Sequence, residues 1–222
     1  MVYSYSSLAT YRQCPAKFKF AYIDRVETGV QPPSPAMERG SKIHESVEQF
    51  LLGHSEFMHP DIHKNYGQFM SSLREDTVVS TIYPEYKWGI TWEMKPCSYA
   101  APECMLHGYM DLLVVPPVDQ NLAVYEWKTG GIYPEHISQI HKYGVAAMCH
   151  FPDHPGVDAM ATYFDHQDYR KIHYPRTMMF EYKPFLRHEI GTVADATKFP
   201  EMPSFKCKWC QFSRDNGGPC RF

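Results

Sequence analysis

The chain has 222 residues, of which 44% are hydrophobic and 21% charged, enough for one sizeable core with a small lobe and too apolar for a disordered protein. A formal net charge of −3 excludes a uniformly basic nucleic-acid binder, yet residues 1–28 and 201–222 each carry four cations against two acids, leaving −7 for the middle. No run approaches a membrane span and the opening MVYSYSSLATYRQ lacks a basic-then-apolar leader, so a cytoplasmic location is expected, where seven cysteines favour metal ligation or free thiols over disulfides.

Taken in order, residues 4–24 read as two short helices. Leu8 and Tyr11 keep helical spacing before Cys14-Pro15, and Phe18 and Tyr22 keep it after. Pro15 suits a first helical position and puts Cys14 at the N-cap, where free amide hydrogens and the positive helix end favour a thiolate. A buried structural cysteine is the competing reading. Residues 29–36, GVQPPSPA, form a proline-rich loop in which Ser34 caps and Pro35 begins a helix to about residue 52. That helix buries Ile43, Val47, Phe50 and Leu51, and His44 lies at the edge of the stripe, where a packed boundary histidine is the plainer alternative to a ligand. Residues 61–75 form a second amphipathic helix through Ile62, Tyr66, Phe69 and Leu73. Residues 86–94 are expected as an exposed or edge strand with Glu85 at its start.

Residues 105–115 are an apolar run stopped by Pro116-Pro117, and residues 122–129 alternate and stop at Gly130-Gly131, so both are strands. Alternation puts Glu126 and Lys128 on one face and Trp127 on the other, and pairing of the two strands brings Asp111 to the former. Two carboxylates beside an ammonium make a magnesium-type site; a cross-strand ion pair on a solvated face is the bland alternative. Residues 134–150 are expected as a helix with Gln139 and Tyr143 one turn apart on one face. Residues 157–164 and 176–182 are expected strands, and 182–197 a helix. Cys149, His150 and His154 lack a fourth ligand, and Cys97 and Cys104 read as ordinary thiols. The tail FKCKWCQFSRDNGGPCRF sets Cys207, Cys210 and Cys220 as C-x2-C-x9-C, a metal pattern whose generic occupant is zinc. Three cysteines need a fourth ligand, and Cys14 is the candidate.

These motifs resemble the PD-(D/E)xK nuclease superfamily. Gly108 to Asp111 as G-x-x-D, fourteen residues, then Glu126 to Lys128 as E-x-K match its core triplet, although Tyr109-Met110 precede the aspartate in place of the family's proline. Arg39-Gly40 to His44, R-G-x-x-x-H, and Gln139 to Tyr143, Q-x-x-x-Y, resemble motifs of its RecB-like branch. The opening S-x-S-x-L-x-x-Y-x-x-C-P-x-x-F, from Ser4 to Phe18, is similar to RecB/AddB-like nucleases and to the iron–sulfur exonucleases of CRISPR adaptation.

The resemblance implies an α/β, restriction-endonuclease-like core: a central mixed β-sheet flanked by helices over about residues 35–197. A small helical iron–sulfur lobe would come from about residues 1–28 and 200–222 of the same single domain. It implies a Mg2+- or Mn2+-dependent deoxyribonuclease, exonuclease more than endonuclease, acting on single-stranded DNA or free ends in recombination, repair or replication, with proteins of those processes as partners. His44, Asp111, Glu126 and the Trp127 carbonyl would hold the metal, and a histidine nitrogen shifts the choice toward manganese. Lys128 would orient the attacking water, while Gln139 and Tyr143 position the strand. Glu85 would join as an acid on that strand does in some relatives; otherwise it is an exposed glutamate beside Lys87. Cys14, Cys207, Cys210 and Cys220 would hold a [4Fe–4S] cluster, with zinc as the alternative because the last gap is longer than in relatives. The alternatives in function are a CRISPR-adaptation nuclease that trims DNA, a degenerate module that binds DNA without cutting, and a structural metalloprotein.

Overall fold

The computed structural model describes residues 1–28, 32–75 and 80–222, so the first three residues of the expected 29–36 loop lie outside it. The chain divides into two compact units. One holds Pro33–Phe185 with Val2, the other Tyr3–Pro32 and Leu186–Phe222 with Met1.

In the larger unit α3 (Pro35–Leu51) begins as its sequence dictates: the Ser34 side chain accepts from the Met37 amide, and Pro35 occupies the first turn. Ile43, Val47, Phe50 and Leu51 recur at helical spacing and are buried. Together with Ile62 and Met70 of α4 (Pro60–Glu75) they cover Leu112, Val114, Trp127 and Phe164. The sheet beneath consists of β1 (Thr81–Thr91), β2 (Pro96–Cys97), β3 (Cys104–Val115), β4 (Leu122–Lys128), β5 (Gly156–Tyr163) and β6 (Asp168–Pro175). Its order is β2-β1-β3-β4-β5-β6, with β4 and β5 parallel and every other pair antiparallel. This is a mixed six-stranded sheet flanked by helices, as expected from the sequence. The parallel pair requires a crossover, which α5 (Glu135–His150) supplies. Gly144 lets α5 come close, since a Cβ there would stand 2.9 Å from the Tyr174 ring.

Two irregularities shape the middle of the sheet. The β3–β4 ladder comprises three pairs, Leu112–Tyr125, Leu113–Val124 and Val114–Ala123, whereas β1–β3 runs on to Cys104 and β4–β5 to Lys128. Asp111 and Glu126 stand one step beyond the last β3–β4 pair. On β1, Tyr83 and Tyr86 both pack against Phe151, at 6.4 and 6.1 Å between ring centroids, although residues three apart on a regular strand face opposite ways. Glu85 between them has φ 48°, left-handed backbone that breaks the alternation.

Three boundaries differ from the sequence reading. The strand expected at 176–182 is instead β6 at Asp168–Pro175, followed by a 3-10 turn at Arg176–Met178 and by α6 (Met179–Ala194). β6 is an edge strand with one neighbour and mostly exposed polar side chains, so no apolar run marks it. The helix expected from 182 therefore starts earlier and contains Pro184. β1 begins at Thr81 and includes Pro84, which pairs in register with Leu112, so that proline was a misleading stop signal.

In the smaller unit α1 (Tyr5–Gln13) is capped reciprocally by Ser4 and Ser7, and α2 (Pro15–Phe18) is capped by Cys14, whose sulfur accepts from the Lys17 amide. A π-helical turn at Lys19–Ile23 follows. Phe18 packs edge-on to Tyr11 and flat on Phe199, at 5.4 and 6.4 Å between centroids, and the Ala16 amide donates to the Pro200 carbonyl at 3.2 Å. Leu8, Phe18, Leu186, Ile190 and Phe212 are its buried centre. Both ends of the chain thus build one core. No helix among the described residues is long and apolar enough to cross a membrane.

Candidate metal centre and active site

The R-G-x-x-x-H segment of α3 has a mechanical reading. Arg39 forks between Asp61 and Asp165 at 2.7 and 2.8 Å, pinning the start of the helix. Gly40 allows close approach to the residue after β4: a Cβ there would stand 2.9 Å from Thr129 Oγ1. One turn on, His44 Nδ1 lies 3.3 Å from Asp111 Oδ1. The other Asp111 oxygen accepts from the Trp127 amide at 2.5 Å, so the carboxylate itself bridges β3 and β4 where their ladder stops.

Among the described residues His44, Glu85 and Asp111 offer ligand atoms that all lie within 4.8 Å of one another. The electrostatics show what the group lacks. Burial, then the Asp111 and Glu48 charges, push the Glu85 carboxyl up to about 7. Burial, then Asp111, raise Glu126 as well, against the opposing pull of Lys128 and His44. Burial would lower His44, but its hydrogen bond to Asp111 and the charges of Asp111, Glu126 and Glu85 together raise it. Several half-buried acids and one imidazole therefore share an excess of negative charge. Oxygen-rich ligands with one nitrogen fit a hard divalent cation such as Mg2+ or Mn2+.

Beside this group, Lys128 Nζ donates to Glu126 Oε1 at 2.7 Å and to Gln139 Oε1 at 2.8 Å. Gln139 Nε2 donates to Glu126 Oε1 at 2.7 Å and to the Tyr143 hydroxyl at 2.8 Å. Tyr143 stands edge-on to buried Trp88 at 5.9 Å. The E-x-K pair of β4 and the Q-x-x-x-Y pair of α5 thus form one hydrogen-bonded network.

Two details depart from the sequence expectation. Glu126 stands outside the mutual 4.8 Å group, because Lys128 and Gln139 hold its Oε1, and Glu85 stands inside it. The sequence signal for Glu85 was faint, since its left-handed backbone is not legible from residue types. The Trp127 side chain is buried away from the acids, stacked against Tyr125 and Phe164 at 5.4 and 5.5 Å.

The four motif cysteines, Cys14, Cys207, Cys210 and Cys220, line one cavity in the smaller unit. Cys14 Sγ accepts from the Lys17 amide at 3.5 Å and Cys207 Sγ from the Ser204 amide at 3.3 Å, contacts that suit thiolates. Cys97, Cys104 and Cys149 belong to the larger unit, apart from this set.

The sequence profile of the PD-(D/E)XK nuclease superfamily matches residues 2–214. No curated protein matches the chain. Among solved structures, a crystal structure of SSO0001 is similar, at 14% identity and a TM-score of 0.52 over 99% of this chain and 85% of that one, a likeness of fold alone.

Proposed function

The chain belongs to the PD-(D/E)XK nuclease superfamily, and from that premise we propose that it is a Mg2+- or Mn2+-dependent deoxyribonuclease that degrades DNA from its ends. The observation that carries this reading is the convergence of His44, Glu85 and Asp111, with Lys128 held at 2.7 Å from Glu126 beside them. When bound, the metal supplies Lewis acidity at the phosphoryl oxygen and a water that ionises more readily. Asp111, His44 and Glu85 hold it, with Glu126 and the Trp127 carbonyl completing the set. Lys128 orients the attacking water and donates to the negative charge that develops on the phosphate. Gln139 keeps Lys128 and Glu126 in register, and Tyr143 supports Gln139 and the DNA strand.

Cys14, Cys207, Cys210 and Cys220 would hold a [4Fe–4S] cluster that staples the smaller unit. Two observations support a cluster over zinc. The donor set is all thiol, and among the described residues no three of these sulfurs lie within 4.8 Å of one another. A single tetrahedral zinc with bonds of about 2.3 Å would draw them closer than that. On this reading the protein works in the cytoplasm, in recombination, repair or replication, together with proteins of those processes.

Incubation of linear and covalently closed single-stranded DNA with Mg2+ or Mn2+ tests the proposal. Loss of the linear form with the circle spared is expected. Cleavage of the circle at an equal rate would make the enzyme an endonuclease, and no cleavage of either would reject the reading.

A further inference from the structure

The smaller unit carries a charge that the whole chain conceals. It holds ten lysines and arginines against six acids, a net of +4, while the larger unit holds twelve against nineteen, a net of −7. Within it, residues 202–214 include Lys206, Lys208 and Arg214 and no acid. The same segment displays two large rings to solvent. Phe205 is 73% exposed and Trp209 66%, at the two ends of one 3-10 turn, Phe205–Trp209, with ring centroids 6.1 Å apart and planes at 88°.

The turn is fixed from below, so these rings do not belong to a loose tail. Ser204 caps it by accepting from the Lys206 amide at 3.3 Å. Asn216 Nδ2 donates to the Lys208 and Cys210 carbonyls at 3.3 and 3.0 Å, and Phe212 beside them is buried. Lys208 Nζ lies 3.9 Å over the indole of Trp209, a cation–π contact that steadies the ring and brings positive charge to it.

We propose that Phe205 and Trp209, with Lys206 and Lys208, form a stacking platform for single-stranded nucleic acid outside the catalytic centre. A single strand presents flat bases and regularly spaced phosphates, and the platform offers the complement of each: exposed rings for unstacked bases, and lysines on the same turn for phosphates. The local absence of acids on a unit of +4 is what selects this occupant over an apolar protein surface. The inference rests on the nucleic-acid reading of the active centre, but on none of its residues.

Tryptophan fluorescence tests it without cleavage. Trp88 and Trp127 are buried, so in a Trp92→Phe background Trp209 is the remaining exposed indole. With EDTA present, a dT oligonucleotide should quench that protein, and Trp209→Phe added to it should abolish the quench. Phe205→Ala with Trp209→Ala should weaken dT binding about tenfold or more. Hydrolysis of bis(4-nitrophenyl) phosphate with Mn2+, which reports on the metal centre alone, should be unchanged. A wild type that hydrolyses no phosphodiester yet keeps the quench would reject the nuclease reading and support the platform. Unchanged dT affinity in the double variant, or binding without quench, would overturn the proposal. Loss of an oligomer in the double variant with dT affinity intact would also overturn it and make the patch an interface between copies.

Discussion

Gln139 donates to Glu126 Oε1 at 2.7 Å while its own Oε1 accepts from Lys128 Nζ at 2.8 Å. One amide on α5 therefore fixes both charged groups of β4, and its second Nε2 contact, to the Tyr143 hydroxyl, fixes the amide. A buried carboxylate and a half-buried ammonium kept 2.7 Å apart without this clamp would retain their attraction but lose their direction.

Gln139→Leu keeps the volume and removes the clamp. Turnover should fall by about 10- to 100-fold, with the metal concentration for half-maximal activity little changed, because positioning of catalytic groups is lost before metal binding. Gln139→Glu should be worse, since it sets a second carboxyl against buried Glu126, and its thermal midpoint should drop as well. Steady-state kinetics with Mn2+ check both, and wild-type turnover in Gln139→Leu would show the network to be packing only.

The acids make the metal-free protein sensitive to pH in an unusual direction. Glu85 rises from its ordinary 4.5 to about 7 in the folded state, and Glu126 is raised too. The folded protein then binds more protons than the unfolded chain across that window. Stability from these groups is fully present below the ordinary carboxylate value and is lost as pH rises through the folded values. In EDTA the thermal midpoint should therefore fall between about pH 5 and pH 8, and Glu85→Gln and Glu126→Gln should each flatten that fall. Mn2+ should restore most at the alkaline end. A chelated protein whose Gln variants show an unchanged pH profile would contradict this account of the electrostatics.

His44 and Trp127 should separate metal binding from folding. The His44 side chain is 30% exposed and reaches only the acids, so His44→Ala should leave urea unfolding nearly unchanged and raise the required Mn2+ at least about tenfold. Trp127 is buried and stacked between two rings, so Trp127→Ala should cost ~3–5 kcal/mol in urea unfolding. A reversal of this pattern would make His44 a core residue.

Much of this arrangement was legible in the residues. Ser34-Pro35 and Cys14-Pro15 mark helix starts because a capping side chain and an absent amide hydrogen are local properties, and both sit where expected. Alternation in LAVYEWK placed Glu126 and Trp127 on opposite faces, as found. What escaped was whatever depends on neighbours. Glu85 reaches Asp111 and His44 through a left-handed backbone within β1, which its residue type does not demand. β6 has one partner and an exposed face, so its polar residues resemble a loop. The early end of the β3–β4 ladder, which opens the place where Asp111 bridges the strands, is a property of the pairing and of neither strand alone.

The cysteine cavity predicts a single cooperative staple. Serine at Cys14, Cys207 or Cys210 should remove the bound metal and lower the thermal midpoint together, with Cys220 the mildest because its thiol, raised by burial, also bonds to Glu201. Anaerobically purified protein should be brown with about four irons per chain. One zinc and no colour would replace the cluster by a different metal, and full stability in all four variants would contradict the staple.

The most direct test of the central claim is a digest of end-labelled single-stranded DNA by the wild type, Asp111→Asn and Lys128→Met, each with Mn2+ and with EDTA. The account predicts cleavage by the wild type with Mn2+ alone and a loss of at least ~100-fold in both variants, while Lys128→Met still retains the DNA in a gel shift. Cleavage that survives EDTA, or near-normal turnover in either variant, would contradict it.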